Sequence, residues 1–378
     1  MSRGLASLAA IVLATATARA ALDDRLDTPV LRPLSRELSR SVGKSLPIPA
    51  ASSGITFTFD PKTSAFERDT EILGQVYLER AQPIGRGKLN VSITYQWVPT
   101  DRIDGQHLDD LRDLRPIRDP ATGAPFVFQR FALQLETNEI TTSVTYGVTD
   151  DLEVNLAVPM LQTNLDIGAR AQLLGPNAFP RFQLSSVDEG AFGVGDVFLR
   201  GKYRLLHGRF GDLAAGLVFR LPSGRVDDFQ GTGLFEVDPR LYASTPAITL
   251  APGIRVQAFV NAGLDLTPQN SSRSEGRYGA GIDIMLASRA TLSVAFLGRT
   301  AFSDLLSPGA ENVPRVHGPP LPLFGIDPGQ PSYYDVSVGA RVNLWRDTLF
   351  GIANVVVPAN QQGVRSSVVP LIGLEAVF

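Results

Sequence analysis

The end of the chain alternates strictly between two kinds of residue. Residues 373–378 read Gly-Leu-Glu-Ala-Val-Phe, so Leu374, Ala376 and Phe378 share one face of an extended strand. The other face carries Gly373 and Glu375. An apolar row that ends on a C-terminal aromatic residue is typical of the last strand of an outer-membrane barrel, whose strands alternate between lipid and lumen. The pattern therefore predicts an all-β, transmembrane, antiparallel up-and-down β-barrel.

The same alternation recurs along the chain. Between residues 88 and 97, odd positions carry Leu, Val, Ile, Tyr and Trp, and even positions carry Lys, Asn, Ser, Thr and Gln. Similar rows follow near 152–160, 196–205, 254–265 and 334–344. Because every second residue would face lipid, a mean hydropathy of only +0.05 is compatible with a membrane protein.

The N-terminus predicts export. Arg3, the apolar stretch 5–12 and an Ala18-Arg19-Ala20 cleavage site make residues 1–20 a secretory signal. The chain has no cysteine, which excludes a lipobox, disulfides and thiolate chemistry. Residues 21–53 contain four prolines and form either a periplasmic N-terminal segment or a plug inside the barrel. The barrel itself is predicted to be residues 54–378.

The strand count has two readings. Thirteen segments between 72–81 and 364–378 have good strand patterning, and the short alternating segment 55–59 would make fourteen. Single-chain bacterial barrels use an even number of strands, so twelve is the alternative. Segment 128–148 changes parity between Leu135 and Thr142, which predicts a β-bulge or else two strands.

The connections are of two lengths. Short turns occur near 83–87, 149–151, 207–211, 288–289 and 346–347, and long polar loops near 98–126, 163–192, 222–232, 267–274 and 300–331. Short periplasmic turns and longer extracellular loops alternate in outer-membrane barrels. This predicts a Gram-negative-type outer membrane location with both termini periplasmic.

Parity also predicts which side chains face the lumen and which meet the membrane interface. The lumen-facing candidates are Glu153, Asp196, Phe198, Arg200, Lys202, Arg204, Arg220, Asp238, Arg240, Arg255, Phe259, Asp265, Arg277, Asp283, Arg299, Asp335, Arg341 and Glu375. The aromatic-girdle candidates are Tyr95, Trp97, Tyr203, Tyr334 and Phe378.

The lumen candidates carry both signs of charge. A strongly ion-selective pore would have one sign at its constriction. Two readings stay open: a network of ion pairs that braces the interior, or a polar pathway walled by these residues. Inward apolar residues such as Phe198 and Phe259 would line a path for an apolar solute, or would pack against loops.

Catalysis and metal binding have little support. A hydrolase with a Ser-His dyad needs a histidine beside the nucleophile at the barrel wall. His107 and His317 fall in predicted loops and His207 in a turn at the opposite end, so none is expected on a strand. The acidic loop 98–119 lacks the EF-hand spacing and is interpreted as a solvated loop of mixed charge. No enzyme, metal site or cofactor is predicted.

Three stretches carry a family resemblance. They are Glu79 to Tyr95 with its Gly85-Arg86-Gly87-Lys88 turn, Tyr146 to Pro159 with its Thr149-Asp150-Asp151 turn, and Gly193 to Arg204. Over about residues 70–378 the chain resembles outer-membrane barrels described as transporters of the phenol-degradation meta-pathway. The resemblance implies an outer-membrane location and passage of small, often aromatic or apolar molecules, and it supplies no substrate-contacting residues. The more distant long-chain fatty-acid channels have a plug where residues 21–53 would lie.

The leading functional hypothesis is passive uptake of small apolar or aromatic solutes. The alternative is a non-conducting surface or structural protein with binding loops. The expected partners are outer-membrane lipid and lipopolysaccharide, the barrel assembly machinery through the C-terminal strand, and a small solute. Nucleic acid is not expected, because the net charge is only -3 and no basic patch is evident.

Overall fold

The structure is a computed structural model that describes only part of the chain. The described residues are 22, 41–44, 46, 49–50, 57–60, 65–68, 74, 76–118, 123–174, 181–286, 289–303, 312–326 and 329–378. The predicted signal sequence and most of segment 21–53 lie outside the described residues. Within them, no helix is long and apolar enough to cross a membrane.

The described chain is mostly β-strand. The strands are β1 Phe57–Asp60, β2 Ala65–Arg68, β3 Leu89–Thr100, β4 Arg102–Ile103, β5 Gln106–His107, β6 Leu111–Arg118, β7 Pro125–Gly147, β8 Leu152–Leu173, β9 Arg181–Val194, β10 Val197–Gly208, β11 Gly211–Leu221, β12 Glu236–Ser244, β13 Ile248–Ala251, β14 Ile254–Asp265, β15 Glu275–Leu286, β16 Ala290–Ala301, β17 Asn312–Val313, β18 Leu321–Pro322, β19 Ser332–Trp345, β20 Leu349–Pro358, β21 Val364–Arg365 and β22 Val369–Val377. Short 3₁₀ helices lie at Leu108–Asp110, Val226–Asp228, Ser271–Arg273 and Leu323–Gly325.

Twelve of these strands close into one antiparallel ring. Its order is β7-β3-β22-β20-β19-β16-β15-β14-β12-β11-β10-β8, and β8 pairs back onto β7. The C-terminal residue takes part in closure, since the backbones of Leu89 and Phe378 exchange two hydrogen bonds of 3.0 and 2.8 Å. The all-β barrel is thus confirmed, with the alternative count of twelve strands rather than fourteen.

Two predicted strands are absent from the ring. Part of segment 55–59 forms β1, which pairs with β2 in a separate two-stranded sheet. The described residues of 72–81 form no strand. Residues 76–84 run inside the barrel. The physical reason lies in Glu79, Arg80 and Gln82, which are buried and have polar partners inside the lumen that a lipid-facing strand could not offer.

The longest strands extend past the rest of the ring. The predicted loop 163–192 contains the paired ends of β8 and β9, and the predicted loop 98–126 contains β4, β5 and β6. The predicted bulge between Leu135 and Thr142 is wrong, because the β7–β8 register runs unbroken from Ala132 to Gly147. The apparent change of parity is a change in the chemistry of the inward side chains. They are polar from Thr137 to Thr145 and apolar at Leu133 and Leu135.

The two ends of the barrel differ, and we call them the turn end and the loop end. The turn end carries short links such as β10 to β11, which are Gly208 to Gly211. Between the ends, the outward rows expose apolar side chains such as Ile93, Val260 and Leu374, each more than half exposed. This outer face is suited to lipid and unsuited to water.

The girdle candidates lie on this outer face. Tyr95, Tyr203 and Phe378 are exposed, whereas Trp97 and Tyr334 are half-buried. Trp97 and Tyr334 lie toward the loop end, and Phe378 lies at the turn end. Their role as interface anchors stays a prediction.

Candidate functional site

The lumen of the barrel holds a length of chain that precedes the first ring strand. We call the described residues 41–50 and 74–84 the inner segment. Val42, Val76, Ala81 and Ile84 are all buried within the barrel. Leu22, further upstream, is buried at the loop end, where its N–H donates to Asp228 at 3.1 Å. Leu22 and the C-terminal Phe378 therefore lie at opposite ends of the barrel.

Near the loop end, the inner segment is bound through Lys44. Its Nζ lies 3.5 Å from Glu236, 3.8 Å from Asp265 and 4.0 Å from Glu275, and it donates to the Arg273 carbonyl at 2.5 Å. Two wall arginines bind the backbone of the same turn. Arg220 donates to the Gly43 carbonyl at 2.8 Å, and Arg299 donates to the Lys44 carbonyl at 3.2 Å.

Further along its path, on the turn-end side of Lys44, the inner segment forms buried ion pairs with the wall. Arg80 pairs with Asp283 at 3.1 Å, and both side chains are almost wholly buried. Glu79 lies 3.4 Å from Lys202, whose Nζ also lies 2.8 Å from Glu153. Buried charges like these are stable only when they are paired, so the wall and the inner segment depend on each other.

Toward the turn end, the inner segment is held by hydrogen bonds. The Ala81 N–H donates to Ser244 Oγ at 2.9 Å, and Gln82 Nε2 donates to Asp212 at 2.5 Å. The Ile84 N–H donates to Glu153 Oε2 at 2.7 Å. The segment therefore crosses the lumen and contacts the wall along the described part of its path.

The lumen-facing candidates lie in the barrel interior with different degrees of burial. The buried ones are Glu153, Asp196, Phe198, Arg200, Lys202, Arg220, Asp238, Phe259, Asp265, Asp283, Arg341 and Glu375, and the half-buried ones are Arg204, Arg240, Arg255, Arg277, Arg299 and Asp335. Arg204 pairs at 2.7 Å with Asp151, a turn residue. Whether any of them contacts a solute stays a prediction.

A cavity of about 180 Å³ lies between the inner segment and the wall. Nine of the candidates line it, and they are Phe198, Arg200, Arg220, Asp238, Arg240, Asp265, Arg277, Arg299 and Asp335. The charges are largely paired with one another, as in Arg277–Asp265 at 2.9 Å and Arg220–Glu236 at 3.4 Å. The cavity therefore offers hydrogen-bonding groups on a wall of nearly balanced charge.

The sequence prediction missed part of the inner side of this cavity. Tyr77, Leu78 and Glu79 line it, yet residues 72–81 were predicted as a lipid-facing strand, whereas Lys44 and Leu46 belong to segment 21–53, for which a plug was one of the two predictions. A signal was present in the sequence. Glu79 and Arg80 are adjacent, so one of the two charges would have faced lipid in any extended strand.

An apolar core closes the loop end. Phe128 lies 5.2 Å from Phe126 and 5.4 Å from Phe324, and Phe131 lies 5.3 Å from Phe324. The core is formed by the extended ends of β7 and β8, the loop strands and two upstream residues. Its buried members are Leu22, Val42, Ile103, Leu108, Leu111, Ile117, Phe126, Phe128, Phe131, Leu133, Leu135, Leu165, Ile167, Ala191, Phe229, Val313, Leu323, Phe324, Ile326 and Val364.

A buried ion pair fastens this core. Arg315 and Asp113 lie 2.7 Å apart, and Asp113 also accepts the Phe324 N–H at 3.1 Å. Phe324 has a left-handed backbone with φ +56°, which L side chains adopt at a cost. The contacts of Asp113 and the packing of the ring hold Phe324 in that conformation.

The histidines are placed differently from the prediction. His107 belongs to β5 and His207 to β10, so two of the three are on strands, although His317 is in a loop. His207 Nδ1 lies 2.5 Å from Asp212 at the turn end, far from His107 at the loop end. Among the described residues, no group of three or more His, Asp or Glu side chains is arranged to hold a metal ion.

Comparisons with known proteins give remote likenesses. No family model and no curated protein matches the sequence. An outer membrane channel from Pseudomonas putida F1 is 14% identical, with 79% of this chain and 98% of that chain covered and a TM-score of 0.45. A FadL homologue from Pseudomonas aeruginosa is 11% identical, covering 77% and 90%, with a TM-score of 0.35. A toluene transporter from Ralstonia pickettii is 10% identical, covering 78% and 90%, with a TM-score of 0.35.

At such low similarity, the chain's own strand pairing is what defines the barrel. A closed antiparallel ring with an apolar outer face and a polar interior is a transmembrane β-barrel of the outer-membrane type. The protein is accordingly an outer-membrane barrel, surrounded by membrane lipid.

Proposed function

We propose that this barrel is a passive uptake channel for small apolar or aromatic solutes, and that the inner segment is its plug. The observation that carries the proposal is the cavity of about 180 Å³ between the inner segment and the wall. A barrel packed solely for stability has no need of such a space. No covalent chemistry is part of the proposal.

The lining of the cavity supports this solute class. Its apolar lining residues include Leu46, Leu78, Phe198, Val218 and Leu297. Its charged residues are largely paired with one another, and Arg200 and Arg220 lie over the Phe198 ring at 5.8 and 5.4 Å, so the lining favours a neutral solute with a hydrogen-bonding group over an ion. A small aromatic molecule with a polar substituent suits this mixed lining. The motif resemblance to the phenol-degradation meta-pathway barrels agrees with this class.

The proposed route runs from the loop end to the turn end. A solute enters through the apolar core, reaches the cavity and leaves when the inner segment moves. The proposal includes extracellular loops, periplasmic turns and a C-terminal strand that the barrel assembly machinery recognises. It also includes release of the mature chain from the signal sequence 1–20.

A second candidate function rests on the same interior. The buried pairs Arg80–Asp283 and Lys202–Glu153, together with the packed loop-end core, favour a barrel that stays closed. In that case the protein is a non-conducting surface or structural protein whose loops bind a partner. The two candidates differ in whether the inner segment ever moves.

A designed disulfide tests this difference. The chain has no cysteine, so Ala81→Cys with Ser244→Cys introduces one pair at a contact between the inner segment and the wall. The assay is uptake of radiolabelled toluene by cells whose intact lipopolysaccharide leaflet slows apolar solutes. For a channel, oxidation reduces uptake to the level of cells that lack the protein, and reduction restores it.

The matched control places the disulfide within the wall. Ala295 and Ser337 are cross-strand partners in β16 and β19, so Ala295→Cys with Ser337→Cys crosslinks the ring and leaves the inner segment free. Uptake through this variant should not respond to oxidation. If wild-type cells take up no more toluene than cells without the protein, the channel proposal fails and the non-conducting candidate replaces it.

A further inference from the structure

A second, smaller pocket lies at the loop end, apart from the central cavity. Its volume is about 120 Å³, and its lining includes Arg102, Asn360, Gln361 and Arg365. One short hairpin and a third strand build it. β4 and β5 form one hairpin, and β21 adds to its edge to make a three-stranded sheet.

Two arginines stand side by side in this sheet. Arg365 of β21 and Arg102 of β4 are directly paired in register. The backbone fixes this arrangement, since the Asp101 N–H donates to the Arg365 carbonyl at 3.2 Å and the Asp104 N–H to the Gly363 carbonyl at 3.0 Å. Like charges directly opposite each other destabilise a strand pair unless an anion lies nearby.

The two guanidinium groups have different surroundings. The Arg365 side chain is only 5% exposed, pairs with Asp335 and Asn360, and lies over the ring of Tyr333 at 5.3 Å. The Nε of Arg102, by contrast, is buried and has no hydrogen-bond partner among the described residues. Arg102 likewise forms no ion pair within the described part of the chain.

The neighbouring carboxylates accept backbone N–H groups or pair with Arg365. Asp101 accepts the Ser367 N–H at 2.9 Å, and one oxygen of Asp104, Oδ1, accepts the Gly363 N–H at 2.6 Å. Asp335 pairs with Arg365. Within the described residues, the pocket thus has one immobilised arginine, one arginine whose buried Nε has no hydrogen-bond partner, and the exposed Gln361 amide, which makes no hydrogen bond.

We propose that the Arg102–Arg365 pocket binds an oxyanion, such as a phosphate group. A planar guanidinium fork matches the geometry of phosphate oxygens, and an anion would offset the repulsion between the paired arginines. The pocket is large enough to hold a tetrahedral group. The source is either a phosphate of the lipopolysaccharide leaflet around the loop end or a soluble oxyanion, and both present the same chemistry.

The test uses the refolded full chain and two probes. The first is inorganic phosphate, titrated calorimetrically into the protein in detergent. The second is lipid A, compared with dephosphorylated lipid A, on the protein in nanodiscs by native mass spectrometry. Arg102→Gln should weaken binding of the responsive probe by about tenfold or more, because a charge-assisted contact is lost. Arg102→Lys keeps the charge without the fork and should give an intermediate loss.

The matched control is Arg225→Gln. Arg225 is another loop-end arginine, 62% exposed and 3.1 Å from Asp228, and it lies outside the pocket. It should leave the affinity of both probes unchanged. Heat-modifiable migration on a gel checks that every variant has folded, so a loss of binding is not a loss of the barrel.

The outcomes separate cleanly. Binding of inorganic phosphate that depends on Arg102 supports the proposal with a soluble source. Binding of phosphorylated lipid A alone, with the same dependence, supports it with a lipid source. The proposal is overturned if neither probe binds, or if Arg102→Gln binds as tightly as the wild type. None of these results depends on whether the barrel transports a solute.

Discussion

The two ends of the lumen are built from the same strands and have opposite chemistry. Along β7, the inward positions 137–145 are polar, whereas the inward positions 131–135 are Phe, Leu and Leu. The outward side chains of β7 change in the opposite sense at the same level of the barrel. Positions 140, 144 and 146 expose Ile, Val and Tyr, whereas positions 134 and 136 expose Gln and Glu. In β8 the outward row changes at the same level, from Val158 and Met160 to Gln162 and Asn164, although its inward row is already apolar at Leu161.

This inversion indicates where the strands leave the membrane. Within the bilayer the surroundings are apolar, so polar side chains face inward and the buried charges pair with the inner segment. Beyond it the surroundings are water, so the same strands form an ordinary apolar core with a polar outside. One pair of strands thus belongs to a membrane barrel over half its length and to a water-exposed cap over the other half.

The contrast between the two ends requires that the loop-end residues around Phe131 form a true apolar core. Phe131→Ala should remove about 4 kcal/mol of local stability, because a buried ring that contacts Phe128 and Phe324 is replaced by a cavity. Amide hydrogen exchange in β6 should accelerate by up to about 1,000-fold while heat-modifiable migration of the barrel persists. Phe210→Ala is the matched control, since Phe210 is 81% exposed in a turn. Equal exchange rates in both variants would refute the apolar core.

The polar half of the lumen is tested through its most buried ion pair. Arg80→Met should lower the free energy of unfolding in lipid vesicles by about 3 kcal/mol, because Asp283 is left buried without its counter-charge. Adding Asp283→Leu should recover most of the loss, since an apolar pair of similar volume needs no partner. Guanidinium unfolding curves measure both variants. If the double variant is no more stable than the single one, the pair is not what joins the inner segment to the wall here.

The level at which β7 leaves the membrane is tested by substitutions on its outward face. Val144→Arg places a charge on the lipid-facing row and should destabilise the barrel by about 2 kcal/mol. Gln134→Arg adds the same charge to the outward row of the same strand, on the loop-end side of this change. It should alter the free energy of unfolding by less than about 0.5 kcal/mol. The same vesicle unfolding assay compares them. Equal costs would mean that β7 does not cross a boundary between these positions.

The barrel could be predicted from sequence because alternation is a local signal. Each outward row, such as Leu374 to Phe378, is read without knowledge of any other strand. The turn at Arg346-Asp347 was predicted in the same way, and both residues have positive φ. The inner segment could not be predicted so directly, because Glu79 and Arg80 find their partners Lys202 and Asp283 more than a hundred residues away.

The loop end escaped prediction for a related reason. Its short strands are too brief for a periodic signal, and its core depends on contacts between distant loops such as Asp113 with Arg315. One local cue was present. Asp104-Gly105 is a dipeptide favoured in two-residue hairpins, and both residues have positive φ between β4 and β5. That cue marks one edge of the Arg102–Arg365 pocket, although no local sequence pattern places Arg365 beside it.

The smallest effect is expected from an exposed ion pair in the cap. Asp110 and Arg112 lie 2.8 Å apart on the surface, and the hydrogen bond and charge of Arg112 hold the pKa of the Asp110 carboxyl below its ordinary value. A lowered pKa in the folded state stabilises it above the unfolded pKa, and this stabilisation is lost as the pH falls through the folded value. Arg112→Ala should therefore raise the pKa of Asp110 and leave stability at neutral pH almost unchanged, because water screens exposed pairs. Carbon-13 titration of labelled aspartate measures the pKa, and guanidinium unfolding measures the stability. A loss as large as that of Arg80→Met would mean that solvent does not screen the cap, and the contrast between the two ends would fail.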